Sequence, residues 1–283
     1  MSAEWKKKEK LSWNLFLSRP EIFMRESSKP YSYGILWTYV YRKNFEIILR
    51  YIGNARNRVV LEIGFGGGWL SEWLALEGAN VVGIDISSEF CRALKMRATD
   101  RGFDVHVLCA DGESLPFREN SFYVSVTYEA LHHLPNPDKA IGEALTASER
   151  FVCGDEPAEF LLPRFLVRLL KIFATSRIDT EELSGIRATR FEPLKLAQKY
   201  QKTGYQVAFE KQWSMVPTIL LKTERSPVVR TIYETAYEFL MGMRAIRNMG
   251  HGFTMIIKRA GEFDRSGFLR GQQKSSYSVV LFV

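Results

Sequence analysis

Glu62, Gly64, Gly66 and Gly68 form an E-x-G-x-G-x-G pattern directly after the apolar run from Val59, and Asp85 follows Gly64 by 21 residues. Glycines at a strand end let the backbone approach a ligand with no Cβ between them. An acid at the end of the next strand can accept hydrogen bonds from both hydroxyls of a ribose. Two other nucleotide cradles fail on spacing. A phosphate loop needs Lys-Ser or Lys-Thr after its glycines, and none follows here. A dinucleotide turn needs a third glycine where this chain has Trp69, whose indole would obstruct close helix–sheet packing. Further on, "VTYEALHHLPNP" supplies His132 and His133, side chains that titrate near neutrality and are candidate general bases. The plainer reading of each histidine alone is a packing or helix-start residue.

These residues need elements that place them at one edge. "RVVLEIG", "NVVGID", "DVHVLCAD", "SFYVSVTY" and "RFVCGD" read as strands. "WLSEWLALEG", "SSEFCRALKMRATDRG" and "PDKAIGEALTAS" between them read as helices, the second opened by a Ser cap and closed by Gly102. Strands alternating with helices at this spacing predict an α/β fold, a doubly wound and mostly parallel sheet. Upstream, residues 1–57 are aromatic-rich, broken by Pro20 and Pro30, and helical from about Leu36 to Tyr51. Downstream, "KTGYQVAFEKQW" and "GFTMIIKRA" give late strands, and "VVRTIYETAYEFLMGMRAIRNMG" gives a long helix.

In this order the motifs resemble the class I S-adenosylmethionine-dependent methyltransferases, in particular the branch acting on small molecules. The resemblance covers about residues 58–145. It implies a Rossmann-like, seven-stranded sheet and S-adenosyl-L-methionine as cofactor. Glu62, Gly64, Phe65, Gly66, Gly68, Asp85, Ile86, Asp111, Gly112, Glu113 and Tyr128 are then the cofactor-binding set. Asp85 would hold the ribose and Asp111 the adenine amino group. His132 and His133 would lie near the methyl donor and the substrate mouth. Where the family often has Asp after the Phe of its fourth strand, this chain has Tyr123, a departure expected to affect strand packing more than cofactor binding.

The organisation expected is an N-terminal helical extension or lid (1–57), a methyltransferase domain (58–260) with insertions at about 156–192 and 214–250, and a tail (261–283). Charge follows the same partition: +6 over residues 1–57, −7 over 58–155 and +8 over 156–283. Basic flanks suit an anionic partner, and solvated helix faces produce the same counts. Arg164, Arg168 and Lys171 stripe one face of an apolar segment and are candidate peripheral membrane contacts. The methyl acceptor expected is a small or lipid-like molecule. An RNA methyltransferase using the basic flanks, or a non-catalytic cofactor-binding protein of the same fold, is the alternative. DNA is disfavoured, because no Asn/Asp-Pro-Pro-aromatic stretch follows the fourth strand and none of the three cysteines follows a proline. Cys91, Cys109 and Cys153 lack disulfide or zinc spacing, so free thiols, a cytoplasmic location and no metal are expected.

Overall fold

The structure is a computed structural model and describes residues 2–29, 31–159, 174–176 and 189–259. Three helices precede the sheet: α1 (Ser2–Leu17), α2 (Pro20–Ser27) and α3 (Ile35–Ile52). Pro20 opens α2 at its first turn, where the missing N–H costs nothing. Five strands follow: β1 (Val59–Ile63), β2 (Asn80–Asp85), β3 (Val105–Cys109), β4 (Val124–Tyr128) and β5 (Arg150–Pro157). Helices α4 (Trp69–Leu76), α5 (Ser88–Arg101) and α6 (Pro137–Ala147) connect them. The Ser87 hydroxyl accepts from Phe90 N at 3.2 Å, and Gly102 closes α5 in the left-handed region, as expected from sequence.

Beyond β5 come β6 (Ala174–Ser176), α7 (Pro193–Lys202), β7 (Tyr205–Gln212), β8 (Met215–Pro217), α8 (Thr218–Leu221), α9 (Pro227–Gly242), α10 (Arg244–Asn248) and β9 (Gly252–Arg259). The long helix expected over this region is two helices. Gly242 is a poor helix former, and Met243 leaves helical geometry at φ −78°, ψ 106° before α10 begins. Strands β6 and β8 form a small antiparallel pair of their own. Arg164, Arg168, Lys171 and the 261–283 tail lie outside the described residues.

The main sheet has the seven strands expected, in the order β3-β2-β1-β4-β5-β9-β7, and β9 runs antiparallel to both its neighbours. Chain order departs from β1 in both directions, so the switch point, where an open α/β sheet places its ligand crevice, lies at the carboxyl ends of β1 and β4. Successive residues of β1 serve opposite faces. Val60 packs with α3 and its residues Val40, Phe45 and Ile48, while Leu61 packs with α6 and its residues Ile141 and Leu145. A third cluster, including Leu17, Phe23, Phe65, Phe90 and Leu94, fastens α1 and α2 to α5. Tyr123 sits before β4, at the far edge from the crevice, with the Arg58 and Arg150 guanidinium groups 5.4 and 4.5 Å from its ring centroid.

Candidate active site

The glycine loop leaves β1 with Gly64, Gly66 and Gly68 at φ +71°, +53° and +77°, values that L side chains rarely adopt. Each glycine has a different neighbour. A Cβ at Gly64 would lie 2.7 Å from the Ala130 methyl, one at Gly67 would run into the Glu26 carbonyl, and one at Gly68 into the Leu94 side chain. Gly66 alone has nothing within 4 Å of that point, so its side of the loop is open. Behind the loop, the buried Arg97 donates to Glu72 through Nε at 2.7 Å and to Ser27 O through Nη1 at 2.8 Å, and its Nη2 completes an ion pair with Glu72 at 2.6 Å. It ties α5, α4 and α2 around the turn.

Three acids stand at adjacent strand ends. Asp85 accepts from Gly66 N at 3.0 Å and from Ser87 N at 2.9 Å. Burial raises its pKa to about 6, with these backbone donors acting in the opposite direction. Glu62 is fully buried; Ser71 donates to one oxygen, and Oε1 is without a partner among the described residues. Burial pushes its pKa up to about 8. Asp111 holds Glu113 N at 2.9 Å, and the carboxylates of both take Lys6 of α1, at 2.6 and 2.8 Å. Burial opposes the charge on Lys6, yet these two carboxylates leave its pKa raised.

His132 and His133 form a 3-10 turn after β4, their ring centroids 4.3 Å apart. His132 Nδ1 lies 2.8 Å from Glu156 Oε2. The other Glu156 oxygen accepts from Ala130 N and Leu131 N, at 3.1 and 2.8 Å, so a fully buried carboxylate is anchored by backbone donors beneath the imidazole. His133 Nδ1 lies 3.1 Å from Glu9 of α1.

Comparison with known proteins fits this geometry. Residues 61–147 match the family described as a methyltransferase domain. They form a class I S-adenosylmethionine-dependent methyltransferase domain. An 83-residue stretch is 41% identical to a ubiquinone biosynthesis O-methyltransferase of Paraburkholderia phymatum, covering 29% of this chain and 36% of that protein. The Coxiella burnetii protein of that name is 35% identical over 86 residues, 30% of this chain and 37% of its own length. The chain thus spans little over a third of the curated relatives it matches. Among solved structures, magnesium protoporphyrin IX methyltransferase from Synechocystis PCC 6803 with bound SAH aligns at TM-score 0.52 and 16% identity, over 78% of this chain and 84% of that one. A SAM-dependent methyltransferase from Methanosarcina mazei aligns at 0.51 and 20%, over 75% and 96%. At such identities the likeness is one of fold.

Within this methyltransferase domain Gly64, Gly66, Gly68 and Asp85 meet at one edge, with Asp111 and Glu113 at the neighbouring strand end. Ile86 offers its carbonyl to the Cys109 thiol at 3.5 Å, and a Cβ at Gly112 would lie 2.8 Å from Ile63. Phe65 is buried beneath Gly83. Tyr128 is set apart from them: its ring is enclosed by Tyr41, Phe45 and Trp69, and its hydroxyl accepts from Asn44 at 3.2 Å.

Sequence reasoning missed two groups. One is the inner face of α1, where Lys6, Glu9, Trp13 and Asn14 reach Asp111, His133, Phe90 and Ser87. The other lies at the end of β5, where Asn44 and Gln212 donate to Asp155 at 2.8 and 2.9 Å and Ser214 at 2.8 Å. Burial, then the nearby Glu129 charge, raises the Asp155 pKa to about 7. Adjacent acids ending an apolar strand, in "RFVCGDE", were the available signal for Asp155 and Glu156. Among the described residues no cluster of His, Cys, Asp or Glu is arranged to hold a metal ion.

Proposed function

We propose that this chain transfers the methyl group of S-adenosylmethionine to a hydroxyl of a small, lipid-like acceptor. The observation that carries the hydroxyl reading is the His132–Glu156 pair at the crevice. With Nδ1–H donating to Glu156, the imidazole keeps Nε2 as its basic nitrogen, and that atom has no protein partner among the described residues. Nε2 would take the proton of the acceptor hydroxyl, and the Glu156 carboxylate would stabilise the resulting imidazolium. Bound cofactor supplies a methyl carbon on a sulfonium, so the protein's remaining task is alignment. That the relatives named above are O-methyltransferases supports the same choice of acceptor atom.

The cofactor's chemistry fits the side chains present. Open space at Gly66 admits a ligand to the loop, Asp85 is the ribose acceptor, and Asp111 with the Gly112–Glu113 backbone borders the adenine. The unpartnered Glu62 oxygen suits an ammonium group. Gly64, Gly68, Phe65 and Ile86 shape the turn, and Tyr128 acts from behind it. Helix α1 is the lid over this end. The membrane contact through Arg164, Arg168 and Lys171 stays an expectation outside the described residues; no described helix is long and apolar enough to cross a membrane.

Release of S-adenosylhomocysteine is the deciding assay, with apolar-tailed phenols and alcohols supplied beside RNA. Release with the hydroxyl compounds is expected. His132→Ala should lower turnover by about 10²–10⁴-fold, at unchanged cofactor affinity by calorimetry. His133→Ala should cost far less. Cofactor binding with no release from any acceptor would leave the non-catalytic reading. Equal losses in both variants would remove His132 as the base.

A further inference from the structure

Helix α9 turns an uncharged face to solvent. Val228, Ile232 and Phe239 are 66%, 63% and 67% exposed, Thr231 and Thr235 lie between them, Leu240 follows on the flank, and Ile219 of α8 adds a side chain 77% exposed. A surface helix ordinarily puts its polar residues there. Here the opposite face is the anchored one. Tyr233 and Tyr237 pack edge-on against Tyr39 of α3, with centroids 6.2 and 5.6 Å apart, and the Tyr237 hydroxyl donates to Trp213 O at 2.9 Å.

The charges around this face are sorted by sign. Lys222 and Arg225 are exposed just before α9 and Arg244 just after it. The acids turn away. Glu224 is half-buried and accepts from Leu36 N at 3.2 Å, and Glu238 is held by Lys43 at 2.7 Å and the Tyr39 hydroxyl at 2.8 Å. Arg230 and Glu234, both half-buried, lie on the flanks and offset one another. An apolar stripe with cations at both ends matches the interface of an anionic bilayer, where apolar side chains enter the acyl boundary and cations meet headgroups. A second copy is a poor occupant. Antiparallel pairing of two such helices sets Arg244 against the other copy's Lys222 and Arg225, and parallel pairing sets like cations together.

We propose that α9, with Ile219, seats the protein on anionic lipid. Its anchored face adjoins Trp213 and Ser214, and Ser214 bonds Asp155, so a seated α9 brings the β5 end of the crevice close to the lipid phase. Docking requires no methyl transfer, so its failure leaves the proposed reaction untouched.

Flotation of the full chain with vesicles of phosphatidylcholine and phosphatidylglycerol in roughly equal parts is the test. Wild-type protein should rise with these vesicles, and less with phosphatidylcholine alone. Ile232→Glu combined with Phe239→Glu should cut the bound fraction by about tenfold or more while the circular-dichroism melt is retained, because both side chains are already in water. Charge reversal at Lys222, Arg225 and Arg244 should weaken binding to the anionic vesicles and leave the melt unchanged. Undiminished flotation of the Ile232/Phe239 variant would overturn the proposal by assigning binding to another surface. So would a wild-type protein that stays down. A dimer that the variant abolishes, without flotation, would make the face a contact between copies.

Discussion

Asp85 ends β2 and Asp155 stands two residues before the end of β5, on opposite sides of the central pair β1 and β4, and both are buried carboxylates held by donors. The donors differ in kind. Asp85 is held by backbone N–H groups, one two residues away and one on the glycine loop 19 residues earlier. Asp155 is held by side chains of Asn44, Gln212 and Ser214, separated from it by 111, 57 and 59 residues. A backbone cradle persists while the outward side chains of its loop vary. A side-chain cradle changes with any of its members. The first arrangement suits the proposed cofactor site, and the second sets the β5 side apart from it.

The loop's rigidity can be broken most strongly at Arg97. Its guanidinium is buried with Glu72 and the Ser27 carbonyl, so Arg97→Ala strands a carboxylate and frees a helix end. A loss of about 3–5 kcal/mol in denaturant unfolding is expected. A loss below about 1 kcal/mol would mean that the turn holds its shape without the clamp.

Asp155 tests the other cradle through pH. Its pKa is raised to about 7, so the folded state binds this proton more tightly than the unfolded chain. The stabilisation is fully present below the ordinary carboxylate range near 4 and is lost as pH rises toward about 7. Glu62 and Asp85 add slopes of the same sign, reaching to about 8 and about 6. Asp155→Asn should therefore flatten the decline and exceed wild type by roughly 2–4 kcal/mol above neutrality. Melting curves taken at several pH values read this directly, and parallel curves for the two proteins would refute it.

Cofactor affinity should separate the two acids. Asp85→Ala loses the proposed ribose acceptor and releases Gly66 N, so S-adenosylmethionine binding should weaken by about 1–3 kcal/mol in calorimetry. Asp155→Asn should leave that affinity within about twofold. Equal losses would collapse the distinction between a cofactor side and the β5 side.

The same contrast governs what could be read from the sequence. Ser87 capping α5, Gly102 closing it, and the positive φ values at Gly64, Gly66 and Gly68 are local consequences of residue type, so the first five strands and the glycine turn were legible. Nothing local links Lys6 to Asp111 across 105 residues, or Glu156 to the His132 ring across 24. Arg97 reads as an ordinary solvent-facing helix residue until α2 arrives over it. Helix α1 has only a weak apolar stripe, so its register on α5 is set by Trp13 and Leu17 meeting Phe90 and its neighbours, a tertiary choice.

Lys6 joins the proposed lid to the backbone-built side, and its expected effect is the smallest. Its ammonium occupies the Asp111 oxygen that does not hold Glu113 N, and that carboxylate is the proposed partner of the adenine amino group. Ammonium and the proposed adenine amino group thus call on one oxygen, and a shift of Lys6 toward Glu113, already 2.8 Å away, would leave that oxygen to the adenine. The Lys6–Asp111 pair is 20% and 30% exposed, so its net worth is under about 1 kcal/mol. Lys6→Ala should accordingly change equilibrium affinity by no more than about fivefold. It should speed both binding and release of S-adenosylmethionine in stopped-flow fluorescence, which Trp13 beside Phe90 and His133 is placed to report. Unchanged rates in both directions would show that α1 stays in place while the cofactor exchanges, and the lid would then have to be sought in another element.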